Sequence, residues 1–599
     1  MNPIRSRTTR AIAVAFVAGS LALTGCSEGS KDKKDDKTVG QENAKEQQEA
    51  LTFATAEEST GPAEPVKGAQ QGGTLTVYSQ DDVSHLDPGQ IYVSDAGLLS
   101  TILHRGLTAN RVNNDGTKQV AGDLATDTGL TEDGGKTWKY TLKDGITDED
   151  GDPITSKDVR HTFERQFAPF ITDGPSYIQQ WLAGSGTDYR KALPDGPFKG
   201  KHLPDTILET PDDKTVIFHL QSAQPDFPQA LAMAGYAIVP EKKDTKEKYD
   251  KAPKALGPYK IGEYKPGKSL TLVKNDKWDP ATDSVRRQMV DKFYIEFNHD
   301  PGDIDKHIMS DRGVDQAAIA FTGGIDTSNV PTVTKDKAMM ARTIQGYQPY
   351  VWQLNMNMDR IKDKKVRDAI TYAIPNGELV RIDGGSYGGE IAGGLLAPTL
   401  PGFEAKYDPF NKLKKPTGDI EKAKQLLKEA GKVGMELKYA YANTPIRQEQ
   451  AVVIENALTE AGFKVSKQEK DQATWYEQMG KIKNGLDLYM TGWGQDWASP
   501  GTVIPPSYDG TQIQDGASNY SHINDPKVNS EIKRISAITD PAKASDEWNK
   551  LHHYIVEQVN PAVPLYFTKQ FMIQGSKVGG AEYNSFTSYY DWNKLYVKK

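Results

Sequence analysis

The chain shifts repeatedly between two hydrophobic periods. Thr74–Ser79, Thr137–Lys143 and Lys214–Leu220 alternate apolar and polar residues, the period of a half-buried strand. Pro258–Lys274 reads as two more strands around the Pro266-Gly267 turn. Asp95–Arg105 instead sets Leu98, Leu99, Ile102 and Leu103 on one helical face. A second helix opens at Thr155, where Thr155 and Asp158 have capping-box spacing with Asp in place of Glu.

The most informative stretch is Asp419 to Trp497. Asp419 caps a helix that ends at Gly431, Glu436–Tyr441 is a strand, and Arg447–Ala461 is a helix stopped by Gly462. Phe463–Lys467, Trp475–Ile482 and Leu486–Trp493 follow as strand, short helix and strand. This β-α-β-α-β order predicts a parallel sheet with right-handed crossovers, and ligands of such sheets collect past the strand carboxyl ends. The segment at that place is Gly492–Trp497. No repeat with a period of 20–50 residues is evident. The fold class is therefore α/β.

The first 26 residues have a different pattern. Arg5, Arg7 and Arg10 precede the apolar run Ala11–Ala22, which is too short to span a membrane, and Leu23-Thr24-Gly25-Cys26 closes it. This is the shape of a secretory signal. Ser27–Gly73 contains KDKKDDK, QENAKEQQEA and EESTGPAEP without a sustained period, a composition expected to form a flexible tether.

Composition narrows the function classes. The 599 residues are 37% hydrophobic and 9% aromatic, enough for several cores, and the net charge of −8 argues against a sequence-independent nucleic-acid binder. A mean hydropathy of −0.63 excludes a polytopic membrane protein. A single cysteine excludes an intramolecular disulfide framework and a Cys-ligated zinc site.

Several motifs fail on their context. Gly262–Ser269 matches G-x-x-x-x-G-K-[ST], yet Ser269 leads into a strand and not into the helix that phosphate binding needs. His299–His307 is rich in metal-ligand residue types but supplies no fixed geometry, so a solvated loop entering a helix is expected. Asp148–Asp152 lacks the glycine position and twelfth-position Glu of a calcium loop and is expected to be a turn. No H-E-x-x-H is present and the ten histidines are scattered without a recurring partner, so no enzyme activity, catalytic residue, cofactor or metal is expected.

Several segments, in order, resemble the extracellular solute-binding proteins of ABC importers, the peptide/nickel/opine type or family 5. They are Gly72–Val77, Leu86–Pro88, Leu103–Leu107, Thr137–Gly145, Asp150–Val159, Gly257–Tyr259, Asn355 with Lys365–Ala373, and Gly492-Trp493 with Asp496. The Leu23–Cys26 ending also resembles a lipoprotein lipobox, which implies cleavage before Cys26 and lipid on that residue; the alternative is an ordinary signal with an incidental cysteine. The resemblance implies a two-lobed clamshell of the periplasmic-binding-protein type. Residues 1–25 would be signal, 26–72 tether, 73–345 lobe one with an extra subdomain over about 113–255, 346–559 lobe two, and 560–599 the return to lobe one. Gly346–Tyr350 and Asn560–Pro564 would be the crossing strands.

The same resemblance implies the site. Asp496 would pair with a ligand ammonium, Trp493 and Trp497 would wall the pocket beside Gly494, and Tyr92-Val93-Ser94 would pair with the ligand backbone as an extended segment. Tyr177 would reach the ligand from the subdomain. Some oligopeptide binders have an arginine three residues before the tryptophan; Met490 stands there, which puts carboxylate reading in doubt. The expectation is a monomeric, lipid-anchored receptor on the outer face of the cytoplasmic membrane. It would deliver small peptides to an ABC permease with cytoplasmic ATPases. An oligosaccharide receptor would stack Trp475, Trp493 and Trp497 against sugars. A secreted hydrolase and a peptide-sensing receptor are the readings from other classes.

Overall fold

The computed structural model describes residues 51–184 and 186–599; the expected signal segment, Cys26 and residues 26–50 of the expected tether lie outside the described residues. The first described elements are β1 (Thr52–Phe53), β2 (Thr74–Tyr78) and α1 (Ser94–Leu103). An inserted subdomain follows with β3 (Thr108–Val112), β4 (Lys118–Gly122), β5 (Thr137–Thr141), α2 (Ser156–Arg165), α3 (Tyr177–Ala183), β6 (Leu208–Glu209) and β7 (Thr215–His219). The chain then returns through β8 (Tyr259–Lys265), β9 (Ser269–Lys274), β10 (Lys292–Glu296), α4 (Pro301–Ser310) and β11 (Ala318–Ala320).

Lobe one is built on the sheet β11-β2-β10-β9-β8. β2 runs parallel to β10 and β11, and Leu75 and Val77 bury against Leu98, Leu99, Ile102 and Leu103 of α1, the face predicted from spacing. The subdomain has its own core around Trp138, Tyr140, Phe163, Phe218 and Phe227. The capping box at Thr155 and Asp158 is present at the start of α2. Gly262–Ser269 lies in the β8–β9 hairpin, so no helix N-terminus stands behind it.

Lobe two comprises β12 (Thr343–Met356), α5 (Lys364–Ala373), β13 (Gly389–Ile391), α6 (Ile420–Glu429), β14 (Glu436–Ala442), α7 (Pro445–Glu460), β15 (Lys464–Lys470), α8 (Trp475–Met479), β16 (Leu488–Gly494), α9 (Pro526–Ile535), α10 (Pro541–Tyr554) and β17 (Ala562–Ile573). Its sheet order is β13-β17-β12-β16-β14-β15, and β14 is parallel to both β15 and β16 as the β-α-β-α-β pattern predicts. The Asp419 side chain caps α6 by accepting from Lys422 N–H at 3.2 Å. α7 stops before Gly462, whose φ of +106° a side chain would resist. α5, α6 and α7 cover one sheet face and α9 and α10 the other.

β12 and β17 pair antiparallel and join the lobes, with register shifts at Tyr347/Val351 and Trp352/Gln353. The first register shift, between Tyr347 and Val351, overlaps Gly346–Tyr350, the segment expected to be the outgoing crossing. The return crossing does not fall at Asn560–Pro564: Val563, Leu565 and Tyr566 belong to the lobe-two core, and the strand crosses opposite Tyr347 and Val351, at Phe567–Lys569. β17 is a continuous apolar run, so its partners rather than its own pattern decide where one lobe ends.

The tether expectation is corrected for residues 51–72. β1 pairs parallel with β4, Ser59 is fully buried, and Gly122 N–H donates to Ser59 Oγ at 2.9 Å while Lys143 Nζ donates to the Ser59 carbonyl at 2.7 Å. Backbone hydrogen bonding, which leaves no apolar period, holds this segment to lobe one. Among the described residues no helix is long and apolar enough to cross a membrane.

Candidate ligand site between the lobes

Asp496 stands just past the carboxyl end of β16. Its backbone N–H donates to Thr502 Oγ1 at 3.3 Å, and Trp493 Nε1 donates to the Thr502 carbonyl at 3.1 Å, so the loop is tied down on both sides. Two residues earlier, Gly494 lies under the Tyr350 ring of β12; a Cβ there would come within 2.5 Å of the ring. Glycine therefore permits the close crossing of β12 and β16 that aims Asp496 at lobe one.

The Asp496 carboxylate bridges the cleft. Tyr92 donates its hydroxyl to Oδ1 at 2.9 Å, and Tyr177 donates to Oδ2. Desolvation pushes Asp496 above the usual carboxylate range, and the two phenol hydrogen bonds oppose that shift. The phenols of Tyr92 and Tyr177 are raised in turn, first by burial and then by the facing negative charge. A half-buried acid with neutral partners only is poised for a cation.

Each phenol is positioned by its own scaffold. Asp87, of the Leu86–Pro88 motif, accepts from both Arg165 Nη1 at 2.8 Å and Nη2 at 2.9 Å, which fixes the loop before Tyr92 to α2. Tyr92 and Val93 are 46% and 52% exposed toward the cleft. Tyr177 is the first residue of α3, where the N–H of Ile178 donates to Tyr236 Oη at 3.1 Å.

Three expected roles are corrected by position. Ser94 is not part of an extended segment but the first residue of α1, and the Val93 carbonyl already accepts from Gly97 N–H at 3.0 Å. Only Tyr92 and Val93 remain extended for main-chain pairing with a ligand. Trp493 packs against the lobe-two core and braces Thr502 rather than walling the cavity. Trp497 is 7% exposed and inserts into the subdomain core, edge-on to Tyr177 at 5.0 Å, with its Nε1 donating to Asp226 Oδ2 at 2.9 Å.

Asp226 and Tyr350 were not singled out by sequence pattern, and nothing in the local sequence marks them. A third addition does answer a question the sequence raised. Arg447, at the start of α7, stacks on Trp352 at 3.7 Å and lines a small pocket with Met490 and Tyr476. Its Nη1 donates to Tyr566 Oη at 2.7 Å. A guanidinium thus stands beside the position where arginine was missing.

The remaining candidate clusters have structural roles. Lys243 Nζ sits between Asp150 at 3.0 Å and Asp152 at 2.7 Å, filling the Asp148–Asp152 turn with its own cation. His299 and His307 flank the Tyr78 ring at 5.0 and 4.7 Å. Among the described residues no group of three or more His, Cys, Asp or Glu could hold a metal ion.

The model of bacterial extracellular solute-binding proteins, family 5, middle region, matches residues 119–515. The chain belongs to this family. The oligopeptide-binding protein OppA of Bacillus subtilis is 24% identical over 524 residues, covering 85% of this chain and 90% of that protein. The dipeptide-binding protein DppE of the same organism is 22% identical over 552 residues, 89% and 94% of the two chains. Among solved structures, clavulanic acid biosynthesis oligopeptide binding protein 2 is 28% identical with a TM-score of 0.82, covering 90% of this chain and 98% of that one. AppA of Bacillus subtilis, solved with a nonapeptide, shares the fold at 21% identity and a TM-score of 0.65, covering 89% and 100%. Family 5 membership agrees with the resemblance carried by the sequence motifs, and the architecture is the two-lobed clamshell.

Proposed function

We propose that this family 5 chain is the solute receptor of an ABC importer and captures oligopeptides between its lobes. The observation that carries the reading is the Asp496 carboxylate, half-buried at the seam and held, among the described residues, by the hydroxyls of Tyr92 and Tyr177. A peptide ammonium supplies the counter-charge this acid lacks, and Arg447 beside Met490 supplies a cation for an anionic group further along the ligand. The names and ligands of the relatives support a peptide as the solute. The sugar alternative loses its platforms, since Trp475 and Trp497 are buried and Trp493 is engaged with Thr502.

Contacts made by both lobes exist only when the cleft is shut, so ligand shifts the population toward the closed form, which the permease reads. Export, lipid attachment at Cys26 and delivery to a permease complete the proposal. Calorimetry with one oligopeptide and its N-acetylated form tests it. The free amine binds at least tenfold more tightly to the wild type, and Asp496→Asn removes that difference with little change in melting temperature. Equal binding of both forms to the wild type overturns the role of Asp496.

A further inference from the structure

Arg447 carries its charge without an acid beside it. Among the described residues no carboxylate lies within ion-pair distance of its guanidinium; Nη1 donates to Tyr566 Oη at 2.7 Å and to Gln450 Oε1 at 2.6 Å, and the plane stacks on Trp352. The pocket it lines lies on the face of the lobe-two sheet that leads to Asp496. On that face the Tyr350 and Trp352 rings of β12 cover Gly494 and Gly492 of β16, and Asp496 follows Gly494 by two residues. The side chains at the pocket reach solvent: Arg447 is half-buried and Tyr476 is 45% exposed.

An acid stands on the other side of the same phenol. Asp383 follows the helix Asn376–Ile382, and its Oδ1 lies 3.4 Å from Tyr566 Oη. Arg447 Nη1 and Gln450 Nε2, the latter at 3.1 Å, can only donate, so they occupy the lone pairs of that hydroxyl and leave its proton for Asp383. Among the described residues Asp383 has no cation within ion-pair distance either. Lys569 lines the cavity beside it but is committed to Glu390 and to the Tyr347 ring at 4.7 Å. A cation and an anion, both half-buried, are thus joined through one neutral hydroxyl.

The two charges act on each other. Desolvation pushes the Asp383 carboxyl up to about 6, while Arg447 and the Tyr566 hydrogen bond oppose that shift. The other ionisable groups around Arg447 do not take this part. Glu469 is held by Tyr441 at 3.3 Å and Gln448 at 3.1 Å, and burial raises the Tyr439 and Tyr476 phenols, so both stay neutral. Ionised Asp383 offsets the Arg447 charge; protonated Asp383 leaves that charge to the pocket.

We propose that Asp383 is a positioning residue for Arg447 and sets, through Tyr566, how strongly that guanidinium holds a carboxylate of the ligand. The role rests on the reading of Arg447 given above and deepens it. A ligand carboxylate favours protonated Asp383 over its anion, so binding takes up a proton and strengthens as pH falls through about 6.

The test is calorimetry on the full mature chain with alanine peptides of three, four and five residues and their C-terminally amidated forms, at pH 5, 6 and 7. The ratio of acid to amide affinity cancels the titration of Asp496, which both forms share. In the wild type this ratio is at least threefold higher at pH 5 than at pH 7. At pH 6 the acid takes up more protons than the amide, read from buffers of different ionisation enthalpy. Asp383→Asn holds the ratio at its pH 5 value throughout, and a pH step that persists in this variant overturns the role of Asp383. Should the variant fail to fold, proton uptake by the wild type decides. A wild type that prefers the acid equally at all three pH values, with equal proton uptake by acid and amide, overturns the role of Asp383 and leaves that of Arg447 intact. A wild type that binds acid and amide alike at every pH, or binds neither, overturns both.

Discussion

Trp497 reaches out of lobe two and donates its indole N–H to Asp226 of the subdomain at 2.9 Å. Its ring packs among Tyr177, Trp181 and the residues of the subdomain core. The next residue back, Asp496, meets Tyr92 and Tyr177. One short loop therefore makes both an apolar and a polar attachment to the opposite side of the cleft, and opening must break them together.

Trp497→Phe keeps a ring but takes the indole donor from Asp226 Oδ2, leaving Gln229 and Ser499 as its side-chain partners. The closed form loses about 1–3 kcal/mol, the usual range for a buried hydrogen bond to a charged group. Peptide affinity falls roughly five- to 150-fold by the same conversion. Small-angle scattering of the ligand-free variant shows a larger radius of gyration than the wild type, and an unchanged radius with unchanged affinity rejects the latch.

Closure without ligand is linked to protons. Desolvation raises the pKa of both Asp226 and Asp496 in the closed form. The closed state thus binds protons more readily than an open state with ordinary aspartates near 3.9. Its penalty is fully present above the raised values and is relieved as pH falls through them toward about 4. Ligand-free protein accordingly becomes more compact from pH 7 to pH 4, while peptide affinity declines as Asp496 loses the charge that pairs with the ammonium. Scattering and calorimetry over the same series check the two opposite trends.

Arg447 gives a prediction of its own. Its guanidinium is stacked on Trp352 next to Met490. Replacing it in Arg447→Met removes a charge-assisted partner worth about 1.5–3 kcal/mol. Peptides with a free carboxylate lose roughly ten- to 150-fold in affinity, and their C-terminally amidated counterparts lose little. Equal losses for both series count against the assignment.

The packing of residues 51–72 is also open to test. A chain beginning at Gly73 lacks the β1–β4 pairing and the Ser59 hydrogen bonds that one beginning at Leu51 retains. Each kcal/mol lost lowers the melting temperature by about 2–4 °C in a large domain. The shorter chain melts at least about 4 °C earlier by calorimetry; coincident transitions contradict the packing.

The sequence was most legible where local chemistry decides structure. The stretch from Asp419 to Trp497 has caps, glycine stops and periods that each act within a few residues, and the parallel β15-β14-β16 unit follows from them. The segment Gly492–Trp497 was legible because its place after β16 is a property of that unit, while Asp496 within it came from the family resemblance. The partner of Trp497 was not legible, because Asp226 lies 271 positions away and joins it only through closure of the lobes. Residues 51–72 escaped for a related reason: their order comes from strand pairing with β4 and from the Ser59 hydroxyl and carbonyl meeting Gly122 and Lys143, and neither leaves a periodic apolar pattern. Trp493 and Trp497 were misplaced because an indole reads alike whether it faces a cavity, a core or a neighbouring lobe.

The ladder of β12 and β17 continues on both sides of the place where its register slips, between Tyr347 and Val351. A paired ribbon flexes across its flat face and resists shearing within it, and a local slip concentrates the flexing. A hinge at that slip would carry the two halves along a single arc, with the cleft opening on the side away from the ribbon.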